Sequence, residues 1–321
     1  MQVSVIIPVY NAADYVRQAV ESALAQPQCA EVLLIEDGSP DDSLSVCQQI
    51  AAENPYRVRL LQHPNGENRG AGPTRNLGLH EAKYEYIAFL DADDYYLPGR
   101  FDVPEKIFAE QPAIDGVYEA TGFVFSDDAE RQSWIAKKGN NPETSLTTVR
   151  AGIAPEELFE VLYEGESGHF DTNSIVFKRT LLAKVGEFPP LRLHQDTVMW
   201  MKLAAMGRLA GGRLDQAVAV RRIHPENRAR APRPSAEQFH NRALMWEALW
   251  LWSESAGMQG ERCIKLLVRT LKFWRRTYKH RGASLPRLRT VWHILSQIPQ
   301  HPMLITRVYL WKLLLAQLAG R

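Results

Sequence analysis

The first hundred residues alternate between apolar runs and short polar breaks. Residues 3–9 are almost wholly apolar and end at Pro8, Tyr10 and Asn11, the pattern of a strand covered on both faces. Residues 14–26 carry Val16, Ala19, Val20, Ala23 and Leu24 at helical spacing. A second strand over 31–35 closes on Glu36-Asp37-Gly38-Ser39-Pro40, and Asp41 or Asp42 caps a helix that runs to about residue 52. A third strand covers 57–62, a Gly- and Asn-rich loop 65–72, a helix 74–82 and a fourth strand 86–90. Strands and helices alternating on short connections predict an α/β fold: a mostly parallel sheet, right-handed crossovers and flanking helices.

The alternation then loosens. Residues 115–125 read as a strand, and 126–148 as a polar, irregular loop or insertion. A helix over 155–162, a strand over 172–177, helices over 179–185 and 196–206 and a strand over 217–223 follow. The Arg- and Pro-rich stretch 225–234, with Arg228, Arg230 and Arg233, reads as a linker, with a lid as the sharper alternative. Everything from 235 onward has helical periodicity. The pattern predicts a sheet domain over 1–230 and a helical appendage over 231–321.

Composition adds constraints. At 45% hydrophobic and 23% charged the chain has ample material for a core and no disordered tract. Cys29, Cys47 and Cys263 are odd in number and far apart, which fits neither a disulfide framework nor a zinc spacing and implies a reducing, cytoplasmic setting. No run has the length of a membrane-spanning helix, and the start of the chain lacks a signal-peptide layout. The net charge of +1 conceals an asymmetry. Residues 262–321 hold 13 Lys and Arg and no Asp or Glu, while residues 1–261 hold 25 basic and 37 acidic side chains.

The chemistry collects at strand ends. Tyr10-Asn11, Asp37-Gly38-Ser39, Asn68-Arg69-Gly70 and Asp91-Ala92-Asp93-Asp94 each follow one of the first four strands. In a parallel sheet those ends share one edge, where α/β folds bind ligands. Acids two residues apart suit a hard divalent cation, which in turn holds a diphosphate. Neither a Gly-x-Gly-x-x-Gly nor a Gly-Lys-Ser/Thr loop is present, which argues against a dinucleotide oxidoreductase or a P-loop NTPase.

The blocks Val3-Ser4-Val5-Ile6-Ile7-Pro8-Val9-Tyr10-Asn11, Ile35-Glu36-Asp37-Gly38-Ser39-Pro40-Asp41-Asp42-Ser43, Asn68-Arg69-Gly70-Ala71-Gly72, Arg75-Asn76-Leu77-Gly78 and Leu90-Asp91-Ala92-Asp93-Asp94 resemble family 2 of the inverting glycosyltransferases, in order and in spacing. The likeness is firm over 1–100 and looser to Arg222-Ile223-His224, and it leaves out the helical tail. It implies a GT-A fold and transfer of a sugar from a nucleotide sugar, with UDP-sugar the expected donor and a glycan or lipid-linked sugar the acceptor. Pro8, Tyr10 and Asn11 would line the nucleoside pocket, Asp37 would accept from the base, and Arg75 and Arg222 would lie near phosphate. Asp91 and Ala92 would face the ribose or sugar. Asp93 would ligate Mn²⁺ or Mg²⁺, with His224 as a second ligand that favours Mn²⁺. Asp196 would be the base, although Gln195 stands where the family more often has an acid; its plain alternative is a helix N-cap. His169, Asp171 and Trp134 are candidate acceptor contacts, and Trp134 could equally pin its loop. A nucleotidyltransferase or a non-catalytic binding module on the same sheet stays open.

In the tail, Arg262, Lys265, Arg269, Lys272, Arg276 and Lys279 step by three and four along one helix face, with Ile264, Leu267, Leu271, Trp274 and Tyr278 on the other. A solvated face and docking on an anionic membrane both fit this pattern. Nucleic acid is disfavoured because no recognition motif accompanies the charge. A homo-oligomer is left open.

Overall fold

The computed structural model describes every residue except 140, 142–143, 226, 228–232, 259 and 320–321. Two compact units emerge: Met1–Pro190 with Trp200–Arg230, and Leu191–Met199 with Ala231–Arg321. The second unit thus takes a short segment, Leu191–Met199, from within the stretch expected to be one sheet domain.

In the first unit, strands β1 (Val3–Val9), β2 (Cys29–Glu36), β3 (Val58–Gln62) and β4 (Tyr86–Phe89) are followed by β5 (Tyr95–Tyr96), β6 (Gly116–Tyr118), β7 (Ala120–Phe125), β8 (Ile175–Lys178), β9 (Leu209–Gly211) and β10 (Ala217–Ile223). Seven of them form one sheet in the order β3-β2-β1-β4-β8-β6-β9. β1 pairs in parallel with β2 on one side and β4 on the other. β2 pairs in parallel with β3, whereas β8 is antiparallel to both its neighbours. β5, β10 and β7 make a second, small sheet. The core under the large sheet joins Val3, Val5, Ile7, Val32 and Leu34 to Val16, Ala19, Val20, Ile50 and Phe101. Those apolar runs are buried on both faces, as parallel strands covered by helices require.

Three expectations change. The strand over 115–125 is two strands in two sheets, broken at Glu119. The loop over 126–148 contains a helix, Asp128–Lys138, whose start is capped by the Asp127 side chain accepting from the Glu130 N–H and whose end is Gly139 at φ 72°. The strand over 172–177 begins as a 3-10 turn, Thr172–Ser174, before β8.

Glu119 breaks its strand for a reason. Its side chain and that of Arg100 are both 0% exposed and pair at 2.6 Å. The other Glu119 oxygen accepts from the Arg213 N–H at 3.0 Å. Arg100 also donates from Nε to the Asn173 carbonyl at 3.1 Å and lies over the Phe101 ring. Removing one partner strands a charge in a dry interior. Glu119→Ala is therefore expected to cost about 3–5 kcal/mol in urea unfolding, and a loss within error of zero would show that water reaches Arg100.

The second unit is helical. Ser235–Ser255 and Gly260–His280 pack along a seam that includes Trp246, Leu249, Trp250, Leu267, Leu271 and Trp274. Helices Pro286–Leu295 and Val308–Leu318 complete it.

Candidate active site

The crevice starts at β1, where the strand order turns. The chain leaves β1 for β2 and β3 on one side and returns to β4 on the other. The loops after these strands therefore open on one edge.

The first two loops are laced together. Asn11 sits at φ 52°, and its N–H donates to Ser39 Oγ at 3.2 Å. The Ala12 N–H donates to Ser43 Oγ at 2.9 Å, and the Ala13 N–H to Asp41 Oδ2 at 3.0 Å. Asp41 is thus a tie between loops, and the helix Ser43–Glu53 has no side-chain cap at Asp42. Pro8 is half-buried in β1, and Tyr10 stands 38% exposed at its end.

Asp37 is almost fully buried. Its Oδ1 accepts from the Arg69 N–H at 2.8 Å and its Oδ2 from the Gly70 N–H at 2.9 Å. The carboxylate therefore shapes the third loop, and a base N–H would meet only the lone pairs those two bonds leave. Gly38 beside it has φ 66°, and a Cβ there would lie 2.6 Å from the Gly66 carbonyl oxygen. No other residue fits that turn without moving backbone.

The helix Ala71–Glu81 carries the fourth block, and each of its residues has a separate task. A Cβ on Gly78 would come within 2.5 Å of Ile6 Cγ2, so the glycine lets the helix press on the sheet. The Asn76 amide donates to the Phe188 carbonyl at 2.9 Å and accepts from its N–H at 2.8 Å. Arg75 donates from Nη2 to Asp91 Oδ1 at 2.6 Å and lies over the Phe188 ring.

The three acids after β4 diverge in their surroundings. Asp91 pairs with Arg75, and its N–H donates to Asn173 Oδ1 at 2.9 Å. Ala92 is buried between the acids. Asp94 is buried; its Oδ2 accepts from Asn173 Nδ2 at 2.7 Å and its Oδ1 from the Arg222 N–H at 2.7 Å. Burial, with Asp93, Asp91 and Asp171 nearby, pushes the Asp94 pKa well up, and the Arg222 N–H opposes this. Asp94 is a brace. Asp93 is partly exposed: its Oδ2 lies 3.0 Å from His224 Nε2 and accepts from Asn227 Nδ2 at 3.1 Å. The His224 N–H donates to Asn227 Oδ1 at 2.8 Å, and its ring lies 5.2 Å from that of Tyr15.

A carboxylate oxygen and an imidazole nitrogen thus meet at one point. Among the described residues no three His, Cys, Asp or Glu side chains form a cation site. Two protein ligands fit a divalent cation completed by substrate phosphate and water, as Mg²⁺-type sites are, rather than a closed structural centre.

β10 delivers two arginines to opposite faces of its strand. Arg222 is held away from open space: Nη2 donates to Gln18 Oε1 at 2.6 Å, Nε donates to the Asp93 carbonyl at 3.1 Å, and the guanidinium lies over Tyr15 and Tyr95. Arg222 braces the turn that carries Asp93 and Asp94. Arg221 is a further cation near the acids, besides Arg75. Burial pulls its pKa down, but Asp171, Asp94, Asp91 and Asp93 outweigh that and the net direction is up. Arg221, Asn173 and Asn227 were not among the expected site residues. Only the alternation of β10 hinted that one of two adjacent arginines must face the crevice.

The remaining candidates separate. Asp171 caps the 3-10 turn before β8, accepting from the Asn173 N–H at 3.0 Å. His169 is exposed beside it. Trp134 packs on Phe123 at 4.6 Å and Phe125 at 5.8 Å between ring centroids, so its ring pins the helix to β7. Arg228 and Arg230 lie outside the described residues. Asp196 belongs to the second unit, in the first turn of the helix Gln195–Met206, where it accepts from the Thr197 N–H at 2.7 Å. His194 before it has φ 64°. Burial lowers the His194 pKa, Asp196 opposes this, and Arg242 and Arg233 add to it.

Residues 4–146 match the model of glycosyl transferase family 2. Over that segment the chain is similar to family 2 glycosyltransferases. Over 209 residues the protein is 41% identical to the uncharacterized glycosyltransferase YibD of Escherichia coli strain K12, covering 62% of this chain and 55% of that one. The chain spans 15–66% of the length of the first curated relatives it matches. S. aureus TarS 1–349 in complex with UDP-GlcNAc aligns over 100% of this chain and 93% of its own, with a TM-score of 0.58 and 17% identity. The mannosyltransferase PcManGT of Pyrobaculum calidifontis, in complex with GDP-Man and Mn²⁺, aligns over 100% and 88%, with a TM-score of 0.51 and 19% identity. The fold is of the GT-A type, a mostly parallel sheet flanked by helices, with C-terminal helices following it.

Proposed function

We propose that the chain transfers a hexosyl or N-acetylhexosaminyl group from a UDP-sugar to a hydroxyl of a glycan or lipid-linked acceptor, with inversion. The observation that carries this reading is the set of loops after β1 to β4. Together with the end of β10 it groups Tyr10, Asn11 and Asp37 on the one hand and Asp91, Asp93, His224 and Arg221 on the other. A nucleoside and a diphosphate fit that division. TarS with UDP-GlcNAc supports uracil as the base, and PcManGT with Mn²⁺ supports a divalent cation.

Asp93 and His224 would hold the cation, Mn²⁺ or Mg²⁺. When bound, it supplies Lewis-acid neutralisation of the leaving diphosphate. The chain's own residues do the rest. Pro8, Tyr10 and Asn11 line the nucleoside end. The Asp37 brace presents the backbone of 69–70. Asp91, held by Arg75 and Asn173, orients toward the ribose or sugar. Arg221 adds a fixed positive charge, so the four nearby carboxylates repel an anionic donor less. His169 and Asp171 border the acceptor side. Asp196 takes the proton from the attacking hydroxyl, a task that needs hydrogen-bond reach of that hydroxyl. One displacement inverts the anomeric centre.

A panel of nucleotide sugars with Mn²⁺, read as released nucleoside diphosphate, tests the reading. Turnover with a UDP-sugar is expected. Pyrophosphate as the product would make the chain a nucleotidyltransferase, and binding without turnover would make it a binding module.

A further inference from the structure

The helical unit buries two of its acids, Glu247 and Glu254, and shows apolar side chains. Glu247 is buried; Trp274 Nε1 donates to its Oε2 at 3.1 Å, and His293 Nε2 lies 2.9 Å from its Oε1. Glu254 is buried and accepts from Arg307 Nε at 2.7 Å. These bonds tie the helix Pro286–Leu295 and the turn Pro302–Thr306 onto the helix Ser235–Ser255. What faces outward is different. Leu285, Leu288 and Trp292 are 68%, 51% and 74% exposed; Leu288 and Trp292, four residues apart, share one helix face, and Leu285 precedes the helix as its N-cap. On the helix Val308–Leu318, Leu310 and Leu314 turn inward, while Val308, Trp311, Leu315 and Leu318 form an exposed stripe. Met303 and Ile305 between the two helices are exposed as well.

Scattered exposed leucines need no explanation, but two helices each presenting a tryptophan within an apolar stripe do. The charge around them selects the occupant. Residues 262–321 contain 13 Lys and Arg and no acid. Lys272, Arg276 and Lys279 are exposed on the helix Gly260–His280, Arg287 and Arg289 flank the Leu288–Trp292 face, and Lys312 borders the stripe on Val308–Leu318. An apolar stripe with tryptophan, rimmed by cations, is the composition of a helix that lies in a membrane interface. No helix among the described residues is long and apolar enough to cross a bilayer.

We propose that the outer faces of Pro286–Leu295 and Val308–Leu318 seat the protein on the surface of a bilayer containing anionic lipid. The expected basic patch on 262–279 is then the rim of the docking surface, and its centre is the pair of tryptophan-bearing faces further on. This inference stands on the helical unit alone and survives if the proposed reaction is wrong.

The test uses the full chain and vesicles of phosphatidylcholine with or without phosphatidylglycerol. Sedimentation with the anionic vesicles, weaker in high salt, is expected, together with quenching of tryptophan fluorescence by brominated acyl chains. Trp292→Ala combined with Leu315→Ser is expected to weaken binding at least about tenfold at an unchanged unfolding temperature, since both side chains are largely solvent-exposed. Lys279→Glu with Lys312→Glu tests the rim in a variant that keeps the apolar faces. Equal binding to neutral and anionic vesicles would overturn the charge argument. Absence of vesicle binding would overturn the proposal, whether or not light scattering shows a dimer that Trp292→Ala dissociates.

Discussion

Asp93→Asn is expected to lower transfer by about a thousandfold, the scale of losing several kcal/mol of charge stabilisation at a leaving group. The substitution is close to isosteric. An Asn oxygen at the Oδ2 position still accepts from His224 Nε2 and Asn227 Nδ2, which now meet that oxygen at 3.0 and 3.1 Å. Folding should therefore hold while the negative charge disappears. Initial rates over a Mn²⁺ titration check this: the variant should show a raised metal requirement as well as a lower plateau. Activity within fivefold of the parent would remove Asp93 from the chemistry and leave it as a hydrogen-bond hub for the segment after β10.

Asp196→Asn is expected to collapse turnover by about 10²–10⁴-fold, the range for a positioned general base, with donor affinity unchanged. Asp196 also has a structural bond, its Oδ1 accepting from the Thr197 N–H. Asn preserves that acceptor. What it loses structurally is a negative charge in the first helical turn, worth about 0.3–1 kcal/mol. The two roles thus separate cleanly. Thermal shift with a UDP-sugar reads donor binding, and nucleoside diphosphate release reads the reaction. Loss of both together would make Asp196 a structural residue and move the base elsewhere.

The parallel half of the sheet was legible because its strands are continuous apolar runs with turn residues at each end, and the four loops share an edge as the alternation required. The helix Asp128–Lys138 was not legible as apolar periodicity, because its large apolar residues, Trp134 and Ile135, are adjacent rather than spaced by three or four. Its signals were the Asp127 cap and the Gly139 stop, which carry no hydrophobic pattern. Glu119 was missed for the opposite reason: a charge inside a strand-like run reads as a surface position until Arg100, 19 residues away, is seen to meet it. Arg222 was expected near phosphate, whereas Arg221, which comes near the acids, was not among the expected residues. Adjacent strand residues face opposite ways, but which way depends on the pairing of β10 with β5 and β7, and those pairings join segments about one hundred residues apart. Asn173 and Asn227 have no local signature at all. Each matters only through a carboxylate some 80 to 130 residues distant.

That separation bears on how the acidic turn is assembled as the chain folds. Asp91, Asp93 and Asp94 emerge early, at the end of β4, and three neighbouring carboxylates repel one another. Arg75, which pairs with Asp91, precedes them by 16 residues, but the other groups that hold the turn, Asn173, Arg222, His224 and Asn227, arrive 79 to 134 residues later. Pairings of such high contact order form slowly, since the loop entropy is lost before the contact is gained. The segment 4–146 that carries the family match ends before every one of these later partners. A chain stopped there would hold the recognisable motif in an unassembled form. The site is a late product of folding, completed only when β8 and β10 close over a loop synthesised long before them.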